Sequence, residues 1–249
     1  DTAIPAAEQA PLSLDGGIVK VDAAGLGRTI RISAKRKVEL SSRGGVFLVG
    51  GTSAGVGVAS QLDMASELTG SGGVTKAGLG TMILSGDNSY TGVTTVAAGT
   101  LLVGSEDGLK GNLGTGAVSI EESAKLVLRR TDTVTLAQNV SGLGTLSLEG
   151  LGTVKIEGEN SVGRKVVKSG TLQIANSGPL LMGSGEIEND SLVLIKRKNA
   201  VKVDNVLSGT GKLKVDGTLA VGEAERLVVT LVKDASYTGE TEVIDATLK

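Results

Sequence analysis

Residues 73–101 read Gly73-Val74-Thr75-Lys76-Ala77-Gly78-Leu79-Gly80-Thr81-Met82-Ile83-Leu84-Ser85-Gly86-Asp87-Asn88-Ser89-Tyr90-Thr91-Gly92-Val93-Thr94-Thr95-Val96-Ala97-Ala98-Gly99-Thr100-Leu101. Short runs that read as strands of period two, such as Thr81–Leu84 and Thr94–Val96, are separated by Gly, Asn, Asp and Ser. Alternation of period two marks a half-buried strand, and those four residue types supply the turns between strands. The stretch therefore predicts short strands joined by tight corners.

Working outward, the same pieces recur. Ser71-Gly72-Gly73-Val74, Ser141-Gly142-Leu143-Gly144 and Ser208-Gly209-Thr210-Gly211 start 70 and then 67 residues apart. Gly99-Thr100-Leu101-Leu102-Val103 matches Gly170-Thr171-Leu172-Gln173-Ile174, and Ser89-Tyr90-Thr91-Gly92 matches Ser236-Tyr237-Thr238-Gly239. Lys125-Leu126-Val127-Leu128-Arg129-Arg130 matches 191–197. A period of about 70 residues, read before any single element, points to a repeat architecture. Residues 60–68 form the best helical window, yet they carry no caps or clear helical period, and a helix there is not expected.

Composition narrows the fold and excludes much chemistry. The 249 residues include 38 Gly but only 3 Pro, 2 Tyr, 1 Phe and no Trp, while 40% are hydrophobic. The apolar material is thus almost all Val, Leu, Ile and Ala. Sandwiches and barrels usually use some aromatics and join antiparallel strands by hairpins. Here a long directional repeat and aliphatic residues at matching positions predict an all-β, right-handed parallel β-helix of about ten or eleven coils. At about 22 residues per coil and ~4.8 Å per rung, the rod would be about 50 Å long. With no Cys and no His, disulfides, thiolates, Ser-His-Asp triads and imidazole ligands are excluded. A net charge of −2 and the scarcity of aromatics argue against nucleic acid. No apolar run is long enough for a membrane-spanning helix, and the start carries no signal-peptide pattern, so the chain reads as a processed or trimmed piece.

The run 73–101 strongly resembles the passenger-associated transport repeat of type V autotransporters. Leu113-Gly114-Thr115-Gly116-Ala117-Val118 and 128–136 resemble the elements that follow it. The resemblance implies a right-handed β-helical passenger, exported through a C-terminal outer-membrane barrel and displayed on, or released from, a Gram-negative surface. No aromatic-girdled strand series of such a barrel is expected within these residues. Residues 1–10 are expected to be a flexible lead and 11–249 the β-helix. The leading expectation for such a rod is a non-enzymatic role in adhesion to a host-surface protein or sulfated glycan, or in self-association. The alternative is a stem that supports folding and secretion of a neighbouring enzyme or toxin domain.

Gly51-Thr52-Ser53-Ala54-Gly55 has the form of a nucleophile elbow, but no His exists to partner Ser53. The dinucleotide-like Gly55-Val56-Gly57 lacks its third glycine. Glu121 and Glu122 would face opposite sides of a strand, and Asp87-Asn88 and Glu106-Asp107 read as solvated turns rather than Ca²⁺ ligands. No cofactor or metal is implied. Basic residues cluster at 35–37, 129–130, 164–165 and 196–198. Arg129 and Lys196 each lie 12 residues before a repeat opening, so Arg129, Arg130, Lys196 and Arg197 form a candidate polyanion-binding stripe. Tyr90 and Tyr237 occupy one repeat position, which predicts a structural contact at a corner.

Overall fold

A computed structural model describes residues 2–3, 11–22, 29–50, 60–175, 182–218 and 227–249, in two compact units, 1–130 and 131–249. Every regular element among the described residues is a strand, and the paired strands run parallel. Residues 61–64, inside the best helical window, are a strand, and a second strand, 68–69, starts at its last residue. Each unit is a parallel β-helix. Of residues 1–10, only the strand Thr2–Ala3 is described, and it pairs with Thr29–Ile32. The Ser53 motif and the glycine pattern beside it fall in 51–59, outside the described residues.

In the first unit one sheet stacks Thr29–Ile32, Gln61–Met64, Thr81–Leu84, Thr100–Val103 and Lys125–Leu128 in that order. Register aligns Leu62, Met82, Leu101 and Leu126 in one column and Met64, Leu84, Val103 and Leu128 in the next. All eight are buried. This is what period-two alternation dictates once successive windings share a register. Every second side chain turns inward and meets its counterpart about 4.8 Å away. Each such aliphatic side chain contributes roughly 1.5–3 kcal/mol by leaving water. A second sheet stacks Gly17–Val21, Gly45–Val49, Val74–Ala77, Thr94–Val96 and Val118–Ile120. A third comprises Leu12–Leu14, Val38–Leu40 and Leu68–Thr69.

The second unit repeats the arrangement. Thr133–Leu136, Thr153–Ile156, Thr171–Ile174, Leu192–Lys196, Lys212–Asp216 and Thr241–Ile244 form one sheet. Its inner columns are Val134, Val154, Leu172, Val193, Leu213 and Leu136, Ile156, Ile174, Ile195, Val215. Thr145–Leu148, Arg164–Val167, Glu186–Asn189 and Leu207–Ser208 form another. Val201–Val203, Leu227–Leu231 and Ala246–Leu248 form the third.

Corners explain the glycines. Gly99 and Gly170, equivalent in the repeat, have φ of 66° and 72°. A Cβ at Gly99 would lie 2.5 Å from the carbonyl oxygen of Gly78 and 2.6 Å from that of Gly80, and one at Gly170 would meet Gly150 and Gly152 in the same way. Each corner rests directly on the Gly-Leu-Gly corner of the winding beside it. Both the backbone conformation and the lack of a side chain are required there.

Candidate functional site

The tyrosines are structural, as the repeat position predicts. Tyr90 is fully buried, and its hydroxyl shares a 2.7 Å hydrogen bond with Thr94 Oγ1. The ring fits because residue 114 is glycine: a Cβ there would stand 2.5 Å from Tyr90 Cδ2. Tyr237 makes the same bond to Thr241, at 2.6 Å, but in a more open setting. The motif Tyr-Thr-Gly-x-Thr thus encodes a local clamp that ties a corner to the strand that follows it. Burial pushes the Tyr90 phenol above its ordinary pKa.

The acidic candidates are held in turns. Glu121 and Glu122 follow the strand Val118–Ile120 rather than lying on it, and both are exposed. Glu121 Oε1 accepts from Ser119 Oγ at 3.0 Å. Asp107 Oδ1 accepts from Ser105 Oγ and from the Leu109 N–H, and these bonds hold its carboxyl below the usual range. Asn88 is enclosed in a ladder: its Oδ1 accepts the Leu68 N–H at 2.9 Å, and its Nδ2 donates to Asn112 O at 2.7 Å. Its side chain serves the windings on either side. Among the described residues no group of three or more His, Cys, Asp or Glu gathers as a metal site.

The nominated cations split between the two units, and most of them serve internal partners. Arg130 donates from Nη2 to Leu109 O at 2.8 Å and from Nη1 to Gly111 O, which clasps the long corner after Val103. The Arg129 N–H donates to Val103 O at 2.9 Å, extending the strand ladder. Lys196 Nζ contacts Asp216 Oδ2 at 2.9 Å, and Arg197 is 6% exposed. Asp216 is held down at about 2, with hydrogen bonds from Thr218 and Lys196 outweighing partial burial. The pair Arg164-Lys165 is not a surface cluster. Arg164 faces Glu186 and Glu188, whereas Lys165 points inward.

Two interior lysines are the main feature that residue types alone conceal. Lys76 is fully buried in the column Phe47, Lys76, Val96, Ile120. Its Nζ donates to Gly78 O at 2.7 Å, Ala98 O at 2.9 Å and Ala77 O at 3.1 Å. Lys165, in the column Leu146, Lys165, Ile187, donates to Met182 O at 2.8 Å and Val162 O at 3.1 Å. Each ammonium bolts one winding to the next. Burial draws both down to about 8. The clue in the sequence was parity: with Val74 inward and Thr75 outward, residue 76 must point in.

On the outer face of the second sheet of the first unit lies a cavity of about 260 Å³. Register sets Val46, Thr75 and Thr95 side by side along its floor. Ser42, Ser71 and Val93 form its lip, and Arg43 closes one end. Arg43 Nη2 contacts Asp15 Oδ2 at 2.8 Å, so that end carries no net charge. The hydroxyls of Ser42, Ser71, Thr75 and Thr95 have no hydrogen-bond partner among the described residues.

Comparison with known proteins agrees with the repeat reading. Residues 74–103 match the family model described as the passenger-associated-transport-repeat. Over 214 residues the chain is 29% identical to the adhesin BmaC autotransporter of Brucella suis biovar 1 (strain 1330). That alignment covers 82% of this chain and 5% of the relative, so the chain spans a small fraction of that protein's length. No solved structure matches the chain.

Proposed function

From the premise that this chain is autotransporter passenger sequence carrying the passenger-associated transport repeat, we propose that it is a non-enzymatic adhesive module. It would act at a Gram-negative surface or after release from it, by contact with a host-surface ligand or with further copies of itself. The observation that carries this reading is the extended similarity to a protein named as an adhesin, joined to a fold that repeats its outer surface rung by rung. Repeated shallow contacts on a rigid scaffold favour multivalent attachment, in which weak sites add through effective concentration.

Fusion of residues 1–249 to a translocator barrel on non-adhesive bacteria tests this. Gain of host-cell attachment or of autoaggregation supports the proposal. A chain that confers neither, while its deletion abolishes display of a fused reporter, acts as a stem instead.

A further inference from the structure

We infer that the cavity lined by Val46, Thr75 and Thr95 binds a neutral, hydroxyl-rich polysaccharide strand laid across successive windings. The inference rests on the adhesive reading above and names its ligand class and its site. Four hydroxyls with no hydrogen-bond partner among the described residues belong to the lining of one concavity, and each can both donate and accept. Thr75 and Thr95 are locked in register, so their hydroxyls recur at the rung spacing of about 4.8 Å. That spacing is comparable to the repeat of an extended β-linked pyranose chain. Val46 and Val93 offer aliphatic surface to the C–H faces of the sugar rings.

Other ligand classes fit less well. The Arg43–Asp15 pair leaves no excess charge at the closed end, so a polyanion gains little. A peptide binding as an added strand needs an unpaired sheet edge. This site lies on the face of a sheet whose backbone groups are spent on neighbouring windings.

Affinity electrophoresis of the 249-residue chain, in native gels containing hydroxyethylcellulose, glycol chitin, heparin or gelatin, tests the site. Retardation is expected in at least one of the two neutral polymers. Thr75→Val with Thr95→Val keeps the β-branched shape and removes two hydroxyls, and should cut that retardation at least fivefold. Val93→Trp, at a half-exposed lip position, should do the same by filling the groove, with thermal unfolding unchanged in both variants. Absence of retardation in both neutral gels, retardation by heparin or gelatin alone, or undiminished retardation of both variants overturns the site. If the displayed chain still confers attachment or aggregation in that event, only the groove assignment falls. If it confers neither, the adhesive reading falls with it.

Discussion

Raising the pH from 7 to 9.5 should stabilise each unit, the opposite of what a protein held by surface ion pairs does. The cause is the pair of interior ammonium groups. Lys76 and Lys165 titrate near 8 in the folded chain against 10.5 for an ordinary lysine, because burial penalises the charged form. Below pH 8 both are charged whether folded or not, and the folded state bears the full desolvation cost. Between 8 and 10.5 the folded lysine sheds its proton while the unfolded one keeps it. The unfolded state then binds more protons, so stability rises with pH. Integrated from pH 7 to 9.5, the gain is about 2 kcal/mol per lysine, an upper figure because any residual water access reduces it. Tyr90 works the other way, since its phenol is pushed up, but that loss sets in only as pH passes 10. Lys212, raised by its bond to Glu242, likewise matters only above the ordinary lysine range. Urea unfolding followed by circular dichroism at pH 7.0, 8.5 and 9.5 reads the effect. In the Lys76→Met, Lys165→Met double variant the slope should vanish, even if overall stability is lower because five carbonyl contacts are lost. A wild-type midpoint that is flat or falls over this range, or a slope retained in the double variant, refutes the reasoning.

Five substitutions probe the remaining contacts. Gly99→Ala combines positive φ with a Cβ 2.5 Å from a carbonyl oxygen, and should cost about 3 kcal/mol or more in unfolding free energy, whereas Ala98→Gly next to it should cost about 1 or less. Tyr90→Phe leaves Thr94 Oγ1 buried without its partner and should lose about 1–2 kcal/mol in urea titrations; Tyr237→Phe, in its more open corner, should lose under about 0.5. Arg130→Ser frees the carbonyls of Leu109 and Gly111, so limited proteolysis should cut within 104–112 several times faster while heparin retention stays unchanged.

The inner columns were legible in the sequence because they obey a local rule. Met82 and Leu84, and Leu101 and Val103, alternate with half-buried neighbours, Leu126 and Leu128 flank a buried Val127, and repeat comparison sets all six in register. The tyrosine clamp was legible too, since Tyr90 and Thr94 lie within one motif copy. What escaped depends on the adjoining winding. Lys76 reads as a solvated cation until the carbonyl of Ala98, 22 residues on, is placed over it. Arg130 reads as surface charge until the corner 104–111 folds back beneath its guanidinium. The groove joins residues near 43, 73 and 93, whose alignment depends on how many residues each winding spends at its corners, and that number is not constant. Arg164 and Lys165 show the limit of counting charges: adjacent on a strand, they face opposite ways, one to glutamates and one to carbonyls.

Unequal windings carry a consequence of their own. Thr81 pairs with Thr100 and Thr100 with Lys125, and the longer second winding puts its extra residues outside the columns, in the corner after Val103. Sequence inserted there changes what is presented to the surroundings without altering the inner stack. The same feature makes this corner a graft point: a foreign epitope spliced between Asp107 and Leu109 would be carried outward on a frame indifferent to its content.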